Sequence, residues 1–141
     1  MNKAKYFFGR ASEGHLKGCD PQLIHLARLV VRYRDCAVIE GFRDEEKQNE
    51  AFRAGLSHRE FPDSKHNIKP SDAIHIVPYN AARDPHVDWK NVDEFRVFGG
   101  FVLCMAVTNE IDIIWGGDWD GDGNPRNQTL HDLAHFELKE D

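Results

Sequence analysis

The chain has 141 residues, a formal net charge of −6 and a sequence isoelectric point near 5.7, with 40% hydrophobic and 30% charged residues. This size suits one domain over residues 1–141, and the acidic balance argues against nucleic acid as the partner, because nucleic-acid binding needs a basic face. No apolar run approaches the roughly 18 residues of a membrane span, and the N-terminal segment lacks the apolar stretch of a signal peptide, so we expect no membrane insertion.

The first half of the chain predicts two helices and a strand. Apolar residues recur at helical spacing over 22–33, and Asp20 with Pro21 suits an N-cap followed by a first-turn proline. Residues 37–39 form a strand candidate. A second helix is predicted over 45–54 and ends at Gly55, a residue suited to a helix C-terminus.

The second half predicts one long helix and three strands. Residues 73–77 alternate in character and end at Pro78, as expected for a strand. The long helical pattern covers 92–109 and contains Gly99 and Gly100, which favour close packing. Further strands are predicted over 111–114 and 135–138. Together the elements indicate an α+β fold, a small antiparallel sheet with helices packed on it.

The three cysteines are Cys19, Cys36 and Cys104. They form no C-x-x-C pair, so we expect no disulfide framework. Cys36 and Cys104 lie in apolar sequence and are predicted to be buried thiols.

Three histidines and one aspartate stand in compact local patterns, at His66, His75, Asp132 and His135. A catalytic zinc ion takes three such ligands and keeps one position for water. Asp132 and His135 fall one turn apart in a helix or turn, so both can face one site. Each histidine alone also suits a surface position, and spacing alone leaves both interpretations open.

Strand alternation separates His75 from its neighbours. Ile74 and Ile76 share one face of the predicted strand, and His75 lies on the other. The imidazole therefore points away from the apolar face, either towards a cleft or towards solvent.

Five ordered blocks of the sequence resemble zinc peptidases of the D-alanyl-D-alanine carboxypeptidase and VanY type, and most of all the L-alanyl-D-glutamate peptidases that serve as phage endolysins. The resemblance covers nearly the whole chain and implies the hedgehog/D-Ala-D-Ala peptidase-like architecture. The blocks are Gly41-Phe-Arg43, Ser64-Lys-His66, Ala73-Ile-His-Ile-Val-Pro-Tyr79, Trp115-Gly-Gly-Asp-Trp119 and Asp132-Leu-Ala-His-Phe-Glu137.

The resemblance implies a role for each matched residue. His66 and His135 correspond to zinc ligands, and Asp132 corresponds to the carboxylate that activates water. Arg43 corresponds to the arginine that holds a substrate carboxylate or carbonyl oxygen. We assign three further residues to the substrate groove: Ser64, Trp115 and Trp119. The alternative is a turn role for the serine and a core role for the tryptophans.

The second zinc ligand departs from the family pattern, because His75 stands where the family has aspartate. Three outcomes follow. His75 ligates directly and completes a three-histidine site, Asp72 swings in from the opposite strand face, or the exchange weakens zinc binding and activity. We expect direct ligation by His75.

A second metal pattern follows Trp115. Asp118, Asp120, Asp122 and Asn124 reproduce the start of a calcium loop, in which alternating carboxylates and a glycine turn wrap a hard cation. The twelfth position is Thr129 rather than glutamate, so the loop lacks its bidentate ligand. An acidic turn is the alternative, and some related endolysins tie activity to calcium through such a loop.

The resemblance implies a zinc-dependent peptidoglycan endopeptidase that cleaves the L-Ala–D-Glu bond of the stem peptide. We expect a monomer without a separate cell-wall-binding domain. It would accumulate in the host bacterial cytoplasm and reach the wall through a holin. A D,D-carboxypeptidase or dipeptidase is the enzymatic alternative, and a wall-peptide binder with a disabled metal site is the non-catalytic one.

Overall fold

The structure is a computed structural model that describes residues 5–124 and 132–140. Within these ranges the chain forms four α-helices, four β-strands and one 3₁₀ turn. The elements in chain order are α1 (Arg10–Leu16), α2 (Pro21–Val31), β1 (Cys36–Glu40), α3 (Glu45–Arg53), the 3₁₀ turn (Lys65–Asn67), β2 (Ala73–Pro78), α4 (Val92–Thr108), β3 (Ile113–Trp115) and β4 (His135–Leu138).

The four strands form one sheet in the order β1-β2-β4-β3, and every neighbouring pair is antiparallel. The register of the central pair sets Ile74 opposite Phe136 and His75 opposite His135. Because side chains alternate across a sheet, the first pair faces the core and the second pair faces the other side.

Helices α2 and α4 cover the apolar side of the sheet. Their buried residues join Ile74, Ile76 and Phe136 in the main core cluster. The Asp20 side chain caps α2 by accepting a hydrogen bond from the Gln22 backbone N–H. The α+β prediction with a small antiparallel sheet is confirmed. None of the described helices is long and apolar enough to cross a membrane.

Three details differ from the sequence-based expectation. Helix α1 was not predicted, because its buried positions include the polar Ser12, whose hydroxyl accepts a hydrogen bond from the Val38 N–H at 3.0 Å. Strand β3 begins two residues later than predicted, since Ile111 packs into the core ahead of the strand. Cys104 is exposed, so its predicted burial is wrong.

A close contact between α4 and the sheet explains one of the two glycines inside this helix. A Cβ atom at Gly99 would overlap the indole ring of Trp115, whereas a Cβ at Gly100 would meet nothing within 4 Å. The Trp115 ring stacks on Phe136 with a centroid distance of 6.5 Å. Gly99 therefore lets α4 pack closely against Trp115 at the C-terminal end of β3.

The two glycines provide a matched test of this packing. We expect Gly99→Ala to lower the free energy of unfolding by about 1–3 kcal/mol, because the added methyl group overpacks the core. Gly100→Ala should raise it by up to about 1 kcal/mol, the difference in helix propensity. Urea unfolding of both variants measures the effect, and equal stability of the two would contradict the packing account.

Candidate active site

The three histidines reach one point from three different elements. His66 lies in the 3₁₀ turn, His75 in β2 and His135 in β4. The turn is fixed by a capping box in which Ser64 accepts a hydrogen bond from the His66 N–H and Asn67 accepts one from the Ser64 N–H. Local capping and the β2–β4 register thus bring the rings together.

The facing ring nitrogens lie close together. Nε2 of His75 is 3.2 Å from Nε2 of His66 and 3.1 Å from Nδ1 of His135. His66 and His135 are buried, and the His75 side chain is 16% exposed. One ring nitrogen from each histidine lies within 4.8 Å of the other two, close enough for all three to bind one metal ion.

Hydrogen bonds on the far sides of two rings assign their protons. Nδ1 of His66 lies 2.8 Å from the Gly41 carbonyl oxygen, and Nε2 of His135 lies 2.8 Å from Glu137 Oε1. Both oxygens only accept, so these nitrogens carry the hydrogens and the opposite ring nitrogens present lone pairs. Nε2 of His75 faces both lone pairs and can carry only one hydrogen, so one of the two contacts lacks a donor.

A cation would resolve this convergence of lone pairs. Two nitrogens bound to one tetrahedral zinc ion at about 2.0–2.1 Å lie about 3.3 Å apart, close to the separations of 3.2 and 3.1 Å. Neutral imidazole is a zinc ligand, and the three rings therefore fit this metal.

The electrostatics of the site favour neutral rings. Burial, followed by the neighbouring charges of His135 and Arg43, lowers the pKa of His66 to about 3. Burial, followed by the two other histidines, lowers the pKa of His75 well below its ordinary value. A site that keeps imidazoles unprotonated near neutral pH is prepared for metal binding.

Asp132 lies beside the histidines and is partly exposed. Its Oδ2 is 3.5 Å from Nε2 of His75 and 3.8 Å from Nδ1 of His135. Its carbonyl accepts the His135 N–H at 3.1 Å, which confirms the expected turn. A Cβ at Gly116 would overlap this carbonyl, so the glycine permits the close approach. Burial raises the pKa of the Asp132 carboxyl, although His135 counteracts this.

Arg43 is held by a buried network next to His66. Its Nε donates to Glu40 Oε1 at 2.6 Å and its Nη1 donates to Gln48 Oε1 at 2.8 Å. Gln48 is fully buried, and its oxygen also accepts from Asn67 at 3.2 Å. Among the described residues, none forms a hydrogen bond with Nη2 of Arg43.

The site opens into a cavity of about 1150 Å³. Ser64 and Trp119 line it, and the Trp119 ring lies 5.2 Å from the His135 ring between centroids. Trp115 does not line the cavity: it is buried in the core and donates from Nε1 to the Leu133 carbonyl. Its assignment to the groove is therefore corrected. Ser64 combines a wall position with its capping role.

Asp72 lies away from the three histidines. It lines a separate depression with Asp112 and Glu110. Its backbone is fixed there, because its N–H bonds the Lys65 carbonyl and its carbonyl accepts from Leu138. The geometry therefore brings His75, and not Asp72, to the site.

The acidic loop brings three carboxylates together. Ligand oxygens of Asp118, Asp120 and Asp122 lie within 4.8 Å of one another. Asp118 is buried, its Oδ2 accepts from the Gly123 N–H at 2.8 Å, and its Oδ1 has no hydrogen-bond partner in the described part of the chain. Burial, followed by its two carboxylate neighbours, raises the pKa of Asp118. Thr129 lies outside the described residues.

Several residues of the site were missed in the sequence. Glu137 contacts His135, Lys65 contacts Glu137, and Gln48 holds Arg43. A signal was present for Glu137, because a strand places residues two apart on the same face. The contact of Lys65 with Glu137 joins distant segments of the chain. Gln48 and Arg43 are only five residues apart, but they contact each other across the turn between β1 and α3, and no periodic pattern indicates this.

Comparisons with known proteins identify the family. The chain matches the family model of the phage L-alanyl-D-glutamate peptidase over residues 4–139. It belongs to this family. The crystal structure of the Serratia marcescens L-Ala D-Glu endopeptidase ChiX is similar to this chain, with a TM-score of 0.73 and 30% sequence identity. The match covers 96% of this chain and 92% of that chain. No curated protein sequence matches the chain.

Membership in the phage L-alanyl-D-glutamate peptidase family makes this chain a peptidase with a role in phage lysis. The match extends over almost the entire sequence, so it includes the cavity, the three histidines and Asp132. The expected family and the expected enzyme class are confirmed.

The depressed pKa values of the histidines predict an acid-sensitive metal-free protein. Unfolded His66 takes up a proton near pH 6.5 and folded His66 only near pH 3. The contribution of neutral His66 to the free energy of unfolding is therefore fully present above pH 6.5 and is lost as the pH decreases. From His66 alone, we expect a loss of about 2 kcal/mol at pH 5. His75 acts in the same direction, and the raised pKa of Asp132 acts in the opposite one.

Urea unfolding in EDTA at pH 7, 6 and 5 measures this dependence, and His66→Gln should flatten it. His15 is exposed and provides the control. The variant His15→Gln should keep the pH dependence of the wild type. A wild-type stability that does not change between pH 7 and pH 5 would contradict the assignment of neutral, buried imidazoles.

Proposed function

We propose that this chain is a zinc-dependent endopeptidase that cleaves the L-Ala–D-Glu bond of the peptidoglycan stem peptide. His66, His75 and His135 are its zinc ligands. The observation that carries the proposal is the convergence of three imidazole nitrogens, with separations of 3.2 and 3.1 Å, beside Asp132 in an open cavity. The family match supports the bond that is cleaved.

The chemistry divides between the metal and the side chains. When bound, zinc supplies a Lewis acid that polarises the scissile carbonyl and lowers the pKa of the attacking water. Asp132 accepts the proton of this water and delivers it to the leaving amine. Its raised pKa suits both steps, because a carboxyl group that titrates nearer neutrality exchanges protons more readily.

Arg43 orients the substrate. Its guanidinium is anchored by Glu40 and Gln48 and lines the cavity next to His66. A rigid cation at this place binds a carboxylate of the stem peptide or the oxyanion that develops at the scissile carbonyl. Trp119 forms a wall of the groove, and Ser64 supports the His66 turn.

We propose the following biological setting for this chain. The proposed endolysin is a monomer, and residues 1–141 act as one catalytic domain. It accumulates in the host bacterial cytoplasm and reaches the cell wall through a holin. The description of the family as a phage peptidase supports a lytic role.

Two alternatives differ in a measurable way. A D,D-carboxypeptidase would release a terminal D-alanine, whereas an L-Ala–D-Glu endopeptidase releases a peptide that begins with D-glutamate, so product mass separates them. A wall-peptide binder with a disabled site would bind the peptide without hydrolysis. The convergence of the three imidazoles, together with the lowered pKa values of His66 and His75, favours a working site.

We further propose that the loop of Asp118, Asp120, Asp122 and Asn124 binds calcium. Clustered carboxylate oxygens suit a hard cation, and the partnerless Oδ1 of buried Asp118 among the described residues supports a bound ion. The Asp118 N–H donates a hydrogen bond to the Trp115 carbonyl at 2.9 Å, which ties the loop to the end of β3. Calcium would therefore stabilise this loop at the C-terminal end of β3.

Asp132→Asn tests the role of the general base. The amide keeps the size of the carboxylate but cannot accept the proton, so we expect kcat to fall by about 10²–10⁴-fold. The zinc content should stay at the wild-type value. Hydrolysis of purified muropeptides gives kcat, and Asp93→Asn serves as control because the Asp93 carboxylate is 90% exposed on α4. Unchanged kcat in Asp132→Asn would assign the base elsewhere.

Calcium binding predicts a saturable rise in Tm when calcium is added to the EGTA-treated protein, because a ligand that binds the folded state stabilises it. Asp118→Asn should abolish this rise, whereas Asp112→Asn, an exposed carboxylate outside the loop, should retain it. Thermal unfolding measures both. A wild-type Tm that does not respond to calcium would show that the loop is an acidic turn.

A further inference from the structure

A salt bridge joins the two segments that carry His66 and His135. Lys65 directly precedes His66, and its Nζ lies 3.1 Å from Oε2 of Glu137, which stands two residues after His135 on β4. The same ammonium group donates to the Leu138 carbonyl at 2.6 Å. The Lys65 and Glu137 side chains are only 18% and 14% exposed, so solvent and salt screen this pair weakly.

The second oxygen of Glu137 reaches the imidazole of His135. Oε1 lies 2.8 Å from Nε2, because strand alternation puts both side chains on one face of β4. The carboxylate accepts, so Nε2 carries the hydrogen and Nδ1 keeps its lone pair. Nδ1 is the nitrogen that faces Nε2 of His75 at 3.1 Å. The bond therefore selects the tautomer that can act as a ligand.

We propose that Glu137 is a positioning residue of the metal site: braced by Lys65, it fixes the tautomer and the ring orientation of His135. The same salt bridge holds the 3₁₀ turn of His66 against β4, so one carboxylate controls the geometry of two ligands. The value of this arrangement for zinc rests on the proposed function, but the hydrogen bonds belong to the chain itself.

The absence of a carboxylate from the group of three histidines increases the importance of Glu137. Three neutral imidazoles bring no negative charge to the metal, whereas an aspartate ligand would. A carboxylate that accepts a hydrogen bond from a ligating imidazole makes that ring a stronger donor, and loss of such a partner weakens metal affinity by about 10–100-fold. Through its hydrogen bond to His135, Glu137 thus supplies part of the negative charge that the neutral imidazole of His75 does not bring to the metal.

Glu137→Gln tests the proposal, with Glu140→Gln as its matched control. Glu140 faces the same Lys65 ammonium at 3.8 Å, but its side chain is 84% exposed, and it is Glu137, not Glu140, that holds the imidazole of His135. We measure the zinc Kd by competition with a chromophoric chelator. We expect Glu137→Gln to weaken binding by about 10–100-fold and Glu140→Gln to bind as the wild type does.

A second readout needs no metal. Nitrogen-15 NMR of the imidazole rings in the metal-free protein should show His135 protonated at Nε2 in the wild type and a mixture of tautomers in Glu137→Gln. Lys65→Met removes the brace but keeps the His135–Glu137 bond, so its tautomer should stay the same while its zinc affinity falls by a smaller factor. This variant keeps the test valid if Glu137→Gln fails to fold.

Wild-type zinc affinity together with an unchanged His135 tautomer in Glu137→Gln would overturn the proposal. A lower Tm without any change of tautomer would also overturn it, since Glu137 would then only brace the fold. A wild-type protein that binds no zinc would instead refute the proposed function, and the tautomer comparison would still decide the role of Glu137.

Discussion

The register between β2 and β4 is the constraint on which the site depends. It sets His75 directly opposite His135 on one face and Ile74 opposite Phe136 on the other. A shift of one residue would exchange these faces, burying imidazoles and exposing core residues. The apolar pairs therefore fix the position of His75 and His135, so the hydrophobic core and this part of the site are specified by the same hydrogen-bonded ladder.

Much of the fold follows from local patterns. The capped α2, the long α4 and β4 were predicted with boundaries within two residues, because periodicity and caps are local signals. Helix α1 escaped prediction because it buries the polar Ser12. A core position for Trp115 was one of two alternatives in the sequence, and the choice between them depends on Gly99 of α4, a contact between distant segments.

In the site, too, local sequence patterns predict some features and contacts in the folded chain determine the others. The motifs located His66, His75, Asp132, Arg43 and His135, but they could not show which ring nitrogens face each other. That assignment comes from the Gly41 carbonyl and the Glu137 carboxylate, which hold the far sides of two rings. Gly41 and His66 are far apart in sequence, and only the folded chain brings them into contact. The spacing of two residues between His135 and Glu137 indicates a shared strand face, but it does not show that the two side chains bond.

The central claim is that His75 works as a metal ligand in place of aspartate. The most direct measurement is the zinc content of the purified protein, paired with the mass of the products from muropeptides, for the wild type, His75→Ala and His75→Asp. The account predicts one zinc per wild-type chain and cleavage at L-Ala–D-Glu, with both lost in His75→Ala. A wild type without zinc or cleavage, both restored by His75→Asp, would contradict it and identify a disabled site.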